Sequence, residues 1–154
     1  MADHPPARQL LVVVGSTLRA EELDRPLGYF LRQRIEQAWD AGGDRGPLRV
    51  LVVADFRWLH EDELHSQPTV SVGGPGVNAL AQQWLEEVPL SLAVEDQYYI
   101  QMDPDLEEPR ASIWGMDNAT TQIAVAVFIE RFLPRFLEHC ATLAPQSTDP
   151  DETD

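Results

Sequence analysis

Lysine is absent from this 154-residue sequence, and cysteine occurs once, at Cys140. Without lysine the chain cannot form a Schiff base, use a lysine as general base or supply the lysine of a Walker-A phosphate loop. A single cysteine excludes an intrachain disulfide and cysteine-rich zinc sites, and we expect it to be a buried structural thiol. These absences predict a protein of a reducing compartment, with the cytoplasm as its location.

Positive charge and long apolar runs are also scarce. Eleven arginines stand against 26 acidic residues, so the formal net charge is −15. No segment concentrates arginine as a surface that follows a phosphate backbone would require. The longest strongly apolar stretch, residues 123–129, is too short to span a bilayer, and residues 1–10 lack the apolar segment of a signal peptide. We therefore expect neither nucleic acid nor a membrane as a partner.

What the sequence does contain is an alternation of apolar runs with amphipathic segments. Apolar runs closed by glycine or a polar residue predict strands, and apolar positions three and four apart predict helices. The predicted strands are 10–15, 48–56, 69–73 and 111–115, with two β-rich segments at 90–95 and 97–102, and the predicted helices are 24–42, 77–88 and 120–139. Pro134 is expected to bend the last helix.

Strands that alternate with helices predict an α/β domain. We expect three layers, with helices on both faces of a mostly parallel sheet of about five strands, as in Rossmann-like or flavodoxin-like folds. The predicted domain spans residues 9–143, between disordered ends at 1–8 and 144–154. An acidic turn at 103–110 separates the β-rich segments from the last strand.

Small polar residues follow four of the predicted strands, at the edge where parallel sheets bind ligands. Helix N-termini at this edge favour an anion or a phosphorylated metabolite. The candidate ligand-binding residues are Ser16, Thr17, Asp55, Gly74, Gly76, Asn78, Asp117 and Thr121. Each also has a structural interpretation: Asp117 and Asn78 are good helix caps, and Asp55 can bind neighbouring loop amides.

Known catalytic and cofactor motifs do not fit. In "HEDELH" the two histidines, His60 and His65, are five residues apart, which separates them by about 140° on a regular helix, so they cannot share a zinc ion there. The sequence contains no G-x-S-x-G, and "GGPGVN" at 73–78 is not a G-x-G-x-x-G fingerprint. We therefore predict no catalytic residue, no metal and no cofactor.

Residues 123–129 are apolar on every side, which is unusual for a helix with one face in water. Either the rest of the chain or a partner has to cover them, and Val127 and Phe128 are the candidate interface residues. The leading functional prediction is a non-catalytic module that acts through a protein partner or forms a homo-oligomer. The alternative is a protein or enzyme that binds a small anionic ligand at the carboxyl edge of the sheet.

Two motifs resemble a known family. The first is a G-G-P-x-x-N turn after a strand, and the second is a G-x-x-x-x-x-T-x-x-A pattern that opens a helix. They are represented by Gly73, Gly74, Pro75 and Asn78, and then by Gly115, Thr121 and Ala124. Over residues 70–126 the chain thereby resembles the α/β domain of archaeal surface-layer proteins, which implies a module that assembles or displays and does not catalyse.

A second resemblance implies another class. The stretch "VVVGSTLRAEELDRPLGYFL" is similar to the opening of hydrogenase-maturation endopeptidases, with matching residues at Gly15, Leu18, Glu21 and Glu22. The family's asparagine is replaced by Ser16, and its D-G-x-G is absent. This resemblance implies a metal-dependent peptidase, in which an acidic residue and His60 or His65 would bind the metal.

Overall fold

The computed structural model describes residues 7–103 and 109–143 of the chain. Six strands form a single sheet: β1 Arg8–Val14, β2 Leu48–Ala54, β3 Thr69–Val72, β4 Leu90–Val94, β5 Tyr98–Met102 and β6 Arg110–Gly115. Their spatial order is β2-β1-β3-β6-β5-β4. The strands β2, β1, β3 and β6 run parallel, and β5 runs antiparallel to both β6 and β4. The sheet is mostly parallel, as predicted, with six strands where about five were expected.

Within the described residues, five α-helices connect and follow the strands. They are α1 Arg25–Ala41, α2 Asp55–His60, α3 Ala79–Trp84, α4 Asn118–Val127 and α5 Leu133–Thr142. Two π-helical turns, Ala20–Asp24 and Phe128–Phe132, and one 3-10 turn, Asp62–Ser66, complete the helical segments. The predicted mixed α/β fold is confirmed, although α3 is half the length that its apolar spacing predicted.

The strand β1, which lies between β2 and β3, is buried on both faces. Its residues 10–14 have no exposed surface, which explains the unbroken apolar run in the sequence. Leu10, Val12 and Val14 belong to one core cluster, which also contains residues of α1, α4 and α5. Leu11 and Val13 belong to a second cluster with the tryptophans of α2 and α3. Successive side chains of a strand point to opposite faces, so the two clusters lie on opposite sides of β1.

Both π-helical turns end two residues before a proline. At each turn a backbone N–H reaches five residues back: Arg25 donates to the Ala20 carbonyl, and Leu133 donates to the Phe128 carbonyl. A proline lacks this N–H, and its ring clashes with the carbonyl four residues before it in a regular helix. The wider turn therefore precedes Pro26 and Pro134, and the helix predicted for residues 120–139 is divided into α4, a π turn and α5.

The apolar stretch at 123–129 is covered largely by the chain itself. Phe128 has no exposed surface and lies in the first core cluster, together with Ala124 and Val125. Val127 is half-buried and packs against that cluster, whereas Ile123 is 50% exposed. Of the two candidate interface residues, Phe128 is thus a core residue and does not contribute to the surface.

Several predicted segments fall outside the described residues. These are residues 1–6 and 144–154 of the predicted disordered ends, and residues 104–108 of the predicted acidic turn. Arg8, predicted to be part of the disordered end, begins β1. Among the helices of residues 7–103 and 109–143, none is long and apolar enough to cross a membrane.

Phe128 provides a test of this packing. We expect Phe128→Ala to lower the free energy of unfolding by about 3–5 kcal/mol, because it opens a cavity in a filled core. The matched control is Ile123→Ala on the exposed side of α4, which should cost less than about 1 kcal/mol. Urea unfolding followed by tryptophan fluorescence measures both. Equal and small effects would show that Phe128 is not a core residue.

Candidate functional site

The order of the strands creates a crevice at the carboxyl ends of β1 and β3. From β1 the chain passes through α1 to β2 on one side, and then through α2 to β3 on the other side of β1. The helices that follow β1 and β3 pack in different core clusters, α1 in the first and α3 in the second. The loops that lead into them therefore diverge, which is the arrangement in which open α/β sheets bind ligands.

A cavity of about 340 Å³ lies at this crevice. Three segments line it: the first π turn with the residue before it, the loop after β3, and the end of β6 with the loop and the start of α4 that follow. The lining residues are Arg19, Leu23, Asp24, Gly74, Pro75, Gly76, Val77, Trp114, Gly115, Met116, Asp117, Asn118 and Thr121. We call this cavity the cleft.

Asp24 is the most unusual residue of the cleft. It is only 6% exposed, and it is the last residue of the π turn that precedes α1. Its side chain does not cap α1, and no described residue donates a hydrogen bond to it or forms an ion pair with it. Arg19 acts on it only through its charge, and is itself exposed.

Burial changes the acidity of Asp24. Removal from water disfavours the charged form of a carboxyl, and this raises the pKa of Asp24 from 3.8 to about 6, while the charge of Arg19 lowers it slightly. A carboxyl with this pKa is largely ionised at neutral pH, although no described group forms an ion pair with it.

Gly73 makes the room for this carboxyl. Its φ angle is +107°, which side chains rarely allow, and a Cβ atom there would lie 2.6 Å from Oδ2 of Asp24. At Gly74, a Cβ atom would lie 3.4 Å from the Trp114 ring. At Gly76, in contrast, it would meet nothing within 4 Å. Gly73 therefore shapes the wall at Asp24, whereas Gly76 borders open space.

Asp55 has partners on three segments and does not line the cleft. It is 5% exposed and accepts hydrogen bonds from the hydroxyl of Ser16, from its neighbour Phe56 N and from Ala79 N, the last two at 2.7 Å. The side chain thus joins the end of β1, the end of β2 and the start of α3. Its environment supports the structural interpretation of this residue.

Asn78 is likewise used within the fold. Its side-chain oxygen accepts hydrogen bonds from Leu80 N and Ala81 N, at 2.9 and 3.2 Å, and so caps α3. Its amide nitrogen donates to the Val72 carbonyl and to the Ser71 hydroxyl, each at 3.0 Å. These bonds hold the loop after β3 against the sheet.

The start of α4 has its own acidic cap. Asp117 accepts hydrogen bonds from the backbone N–H and the hydroxyl of Thr120, which hold the pKa of Asp117 below its ordinary value. Thr121 accepts a hydrogen bond from Gly115 N and donates one to the Asp117 carbonyl. The first turn of α4 is therefore already provided with an anionic partner from the chain.

Half of the predicted ligand-binding residues meet in the cleft. Gly74, Gly76, Asp117 and Thr121 line it, while Ser16, Thr17, Asp55 and Asn78 do not. Thr17 instead accepts a hydrogen bond from Ala20 N, at 3.1 Å. The sequence predictions missed Arg19, Asp24 and Trp114. The sequence predicted only that a helix begins at Asp24, and the packing shows that this residue is buried without a hydrogen bond.

The residues considered for metal binding or thiol chemistry are dispersed. His65 stacks on Trp58 and hydrogen-bonds to its carbonyl, whereas His60 hydrogen-bonds to the Phe56 carbonyl. Glu21 forms an ion pair with Arg25. In the part of the chain that the structure describes, no three His, Cys, Asp or Glu side chains are grouped to hold a metal ion. Burial raises the pKa of the Cys140 thiol to about 12.

No protein-family model matches the chain, and no curated protein shows significant similarity to it. The resemblance to surface-layer proteins therefore stays a prediction. The two motifs on which it rests do lie together, since Gly74 and Pro75 of one and Gly115 and Thr121 of the other line the same cleft. The function is accordingly inferred from the residues of the cleft.

Asp24 makes the stability of the fold depend on pH. Between pH 3.8 and about 6, the unfolded chain loses the Asp24 proton while the folded chain keeps it. The stability that this group contributes is therefore complete below about pH 4, and it is lost as the pH rises through about 6. We expect Asp24→Asn to equal the parent near pH 4 and to exceed it near pH 7 by at most about 3 kcal/mol.

Urea unfolding across this pH range measures the difference. The matched control is Asp40→Asn, which removes a carboxylate at an exposed position of α1, and the effect of Asp24→Asn is compared with it at each pH. A lower stability of Asp24→Asn at neutral pH would show that the fold stabilises the ionised carboxylate, contrary to this expectation.

The glycines of the loop after β3 should differ in their tolerance of a side chain. Gly73→Ala places a methyl group against Asp24 at an unfavourable φ angle, so we expect it to destabilise the fold by more than about 1 kcal/mol. Gly76→Ala meets open space and should change stability by less than about 0.5 kcal/mol. Thermal unfolding of the two variants compares them directly, and an equal loss at both positions would contradict the assigned geometry.

Proposed function

We propose that this protein is a binding module for a small molecule and that the ligand occupies the cleft. One observation carries the proposal: Asp24 is only 6% exposed as a residue, its carboxyl lacks a hydrogen-bond donor among the described residues, and it lines a cavity at the crevice between β1 and β3. Buried polar groups in folded proteins are nearly always hydrogen-bonded, so a group left without a donor calls for an external partner.

Asp24 and Asp55 differ in their hydrogen-bond partners. Both aspartates are about equally buried, but Asp55 accepts hydrogen bonds from three segments of the fold, whereas Asp24 accepts none from the described residues. Asp55 therefore has a structural reason to be there. The ionised form of Asp24 lowers the stability of the fold. Residues that lower stability and form no compensating contacts are characteristic of functional sites.

The form of the cleft agrees with such a role. Ligand pockets of proteins usually have volumes of about 300–1,000 Å³ and combine apolar walls with a few polar groups. Here Leu23, Val77, Trp114 and Met116 provide apolar surface around the single buried carboxyl. In lining the same cavity, the two loop motifs noted in the sequence would act as one site.

Binding without turnover is the simpler proposal for these residues. The hydroxyl of Thr121 is engaged by Gly115 and Asp117, and Ser16, outside the cleft, is hydrogen-bonded to Asp55. No histidine or cysteine is among the residues that line the cleft in the described part of the chain. The two core clusters on either side of β1 also support a three-layer, flavodoxin-like arrangement, which we include in the proposal.

Assembly with a partner or with further copies has weaker support. It was predicted from the apolar stretch of the last helix, of which Phe128 is now a core residue and Val127 packs against the core. A cytoplasmic location likewise stays a prediction. Neither is needed for the binding function proposed for the cleft.

A fragment library screened by two-dimensional amide NMR tests this function. We expect hits that shift the amide signals of Gly74, Gly76 and Thr121, because all three residues line the cleft. These shifts should disappear in Asp24→Leu, which removes both oxygens, and persist in the control Asp40→Leu. Hits that shift only signals elsewhere, or a library without hits, would contradict a binding function for the cleft.

A further inference from the structure

We propose that the ligand group that binds at Asp24 is a cation, an amine or amidine carried on an apolar organic body. The proposal rests on the binding function of the cleft and adds the chemical class of its ligand. The sequence predicted a small anionic ligand instead. Three features argue for a cation: the unpaired carboxyl of Asp24, the backbone amides at the carboxyl edge of the sheet that already have acceptors, and the charges that line the cleft.

The first reason is what Asp24 lacks. An ionised carboxylate only accepts hydrogen bonds, and no described residue donates one to Asp24. A neutral donor from the ligand would satisfy one or two lone pairs, but would leave the buried charge uncompensated. An ammonium or amidinium supplies both the donors and the opposite charge, which makes the strongest hydrogen bonds available to a carboxylate.

The second reason is that the amides expected to bind an anion already have partners. Ala79 N donates to Asp55, and Leu80 N and Ala81 N donate to Asn78. Thr120 N donates to Asp117 at the start of α4. The chain thus places its own acceptors, two of them carboxylates, on both helix starts, and an anionic ligand would have to displace them.

The third reason is the balance of charge around Asp24. Arg19, before α1, and Asp117, before α4, are the other charged residues that line the described part of the cleft. The wall formed by the loop after β3, residues 73–78, carries no ionisable side chain. Arg19 is exposed and forms no ion pair with Asp24, so its charge is largely screened by water. A ligand in the cleft therefore meets one exposed positive and two negative groups.

An adjoining groove provides room for the apolar body. A second cavity of about 480 Å³ lies between α1 and α4 and shares Leu23 and Asn118 with the cleft. Its walls include Pro26, Leu27 and Val125, which are apolar. A cation held at Asp24 can thus extend its apolar part along Leu23 into this groove, where removal from water adds to the affinity.

A set of three probes of similar shape separates the charge classes: benzamidine is a cation, benzamide is neutral and benzoate is an anion. Affinities are measured by NMR titration of the full chain at about pH 5, 6 and 7. We expect benzamidine to bind at least tenfold more tightly than the other two at about pH 7. Because the cation competes with the proton on Asp24, its affinity should rise about tenfold between pH 5 and pH 7.

Calorimetry in buffers of different ionisation enthalpy shows whether binding releases or takes up protons. A cation at Asp24 lowers the pKa of that carboxyl, so binding at about pH 6 should release protons, whereas an anion would cause proton uptake. Asp24→Asn should abolish both the preference for benzamidine and the proton release. Asp40→Asn, the exposed control, should keep both.

The outcomes also separate this inference from the binding function itself. If benzamide or benzoate binds in the cleft as tightly as benzamidine, or if binding takes up protons, the cation class is wrong and the binding function stands. If benzamidine does not bind while other fragments shift the cleft amides, the cation class is again wrong. If no compound shifts those amides, the cation class and the binding function both fail.

Discussion

The complete burial of residues 10–14 of β1 is the constraint on which the rest of the structure depends. Because its side chains alternate between two core clusters, each face of the strand has to be kept from water. The chain meets this requirement by sending the helices after β1 and β3 to different clusters. The crevice between the two loops is therefore a consequence of how the core is built, and the proposed binding site uses a depression that the fold already provides.

The two buried aspartates at this edge show how a fold can use the same group in opposite ways. Asp55 replaces the water it loses with hydrogen bonds from three segments, so its burial holds the loops together. Asp24 is partly removed from water without that replacement, and this desolvation raises its pKa. The difference lies in their surroundings, since the residue type and the degree of burial are the same.

The sequence predicted the elements better than it predicted the site, for a physical reason. Strand and helix patterns reflect which side chains face the core, and this is why the run at residues 10–15 and the helix that begins near Asp24 were found. The spatial order of the strands and the early end of α3 depend on contacts between distant segments, which a local pattern does not contain. The same holds for Phe128, whose burial depends on how its helix lies on the sheet.

Within the site, the residues predicted correctly are those whose type reports on local backbone geometry. Gly74, Gly76, Asp117 and Thr121 were recognised because glycines and caps mark the turns that end strands and begin helices. Asp24 was recognised as a helix start by the same rule, and the rule was silent about its burial. Arg19 and Trp114 carry no turn signal at all, so only the arrangement of the loops identifies them as part of the cleft.

Gly73 in the turn after β3 and the buried Asp24 before α1 depend on each other. Gly73 would be explained by its positive φ angle alone if the space beside it were empty, but that space is occupied by the Asp24 carboxyl. A side chain at residue 73 would push this carboxyl away, and a carboxyl displaced toward solvent would regain its water and lose its unusual acidity. Gly73 can therefore affect the proposed binding without contacting the ligand. It contributes by leaving room for the carboxyl beside the cleft, where the proposed ligand would bind it.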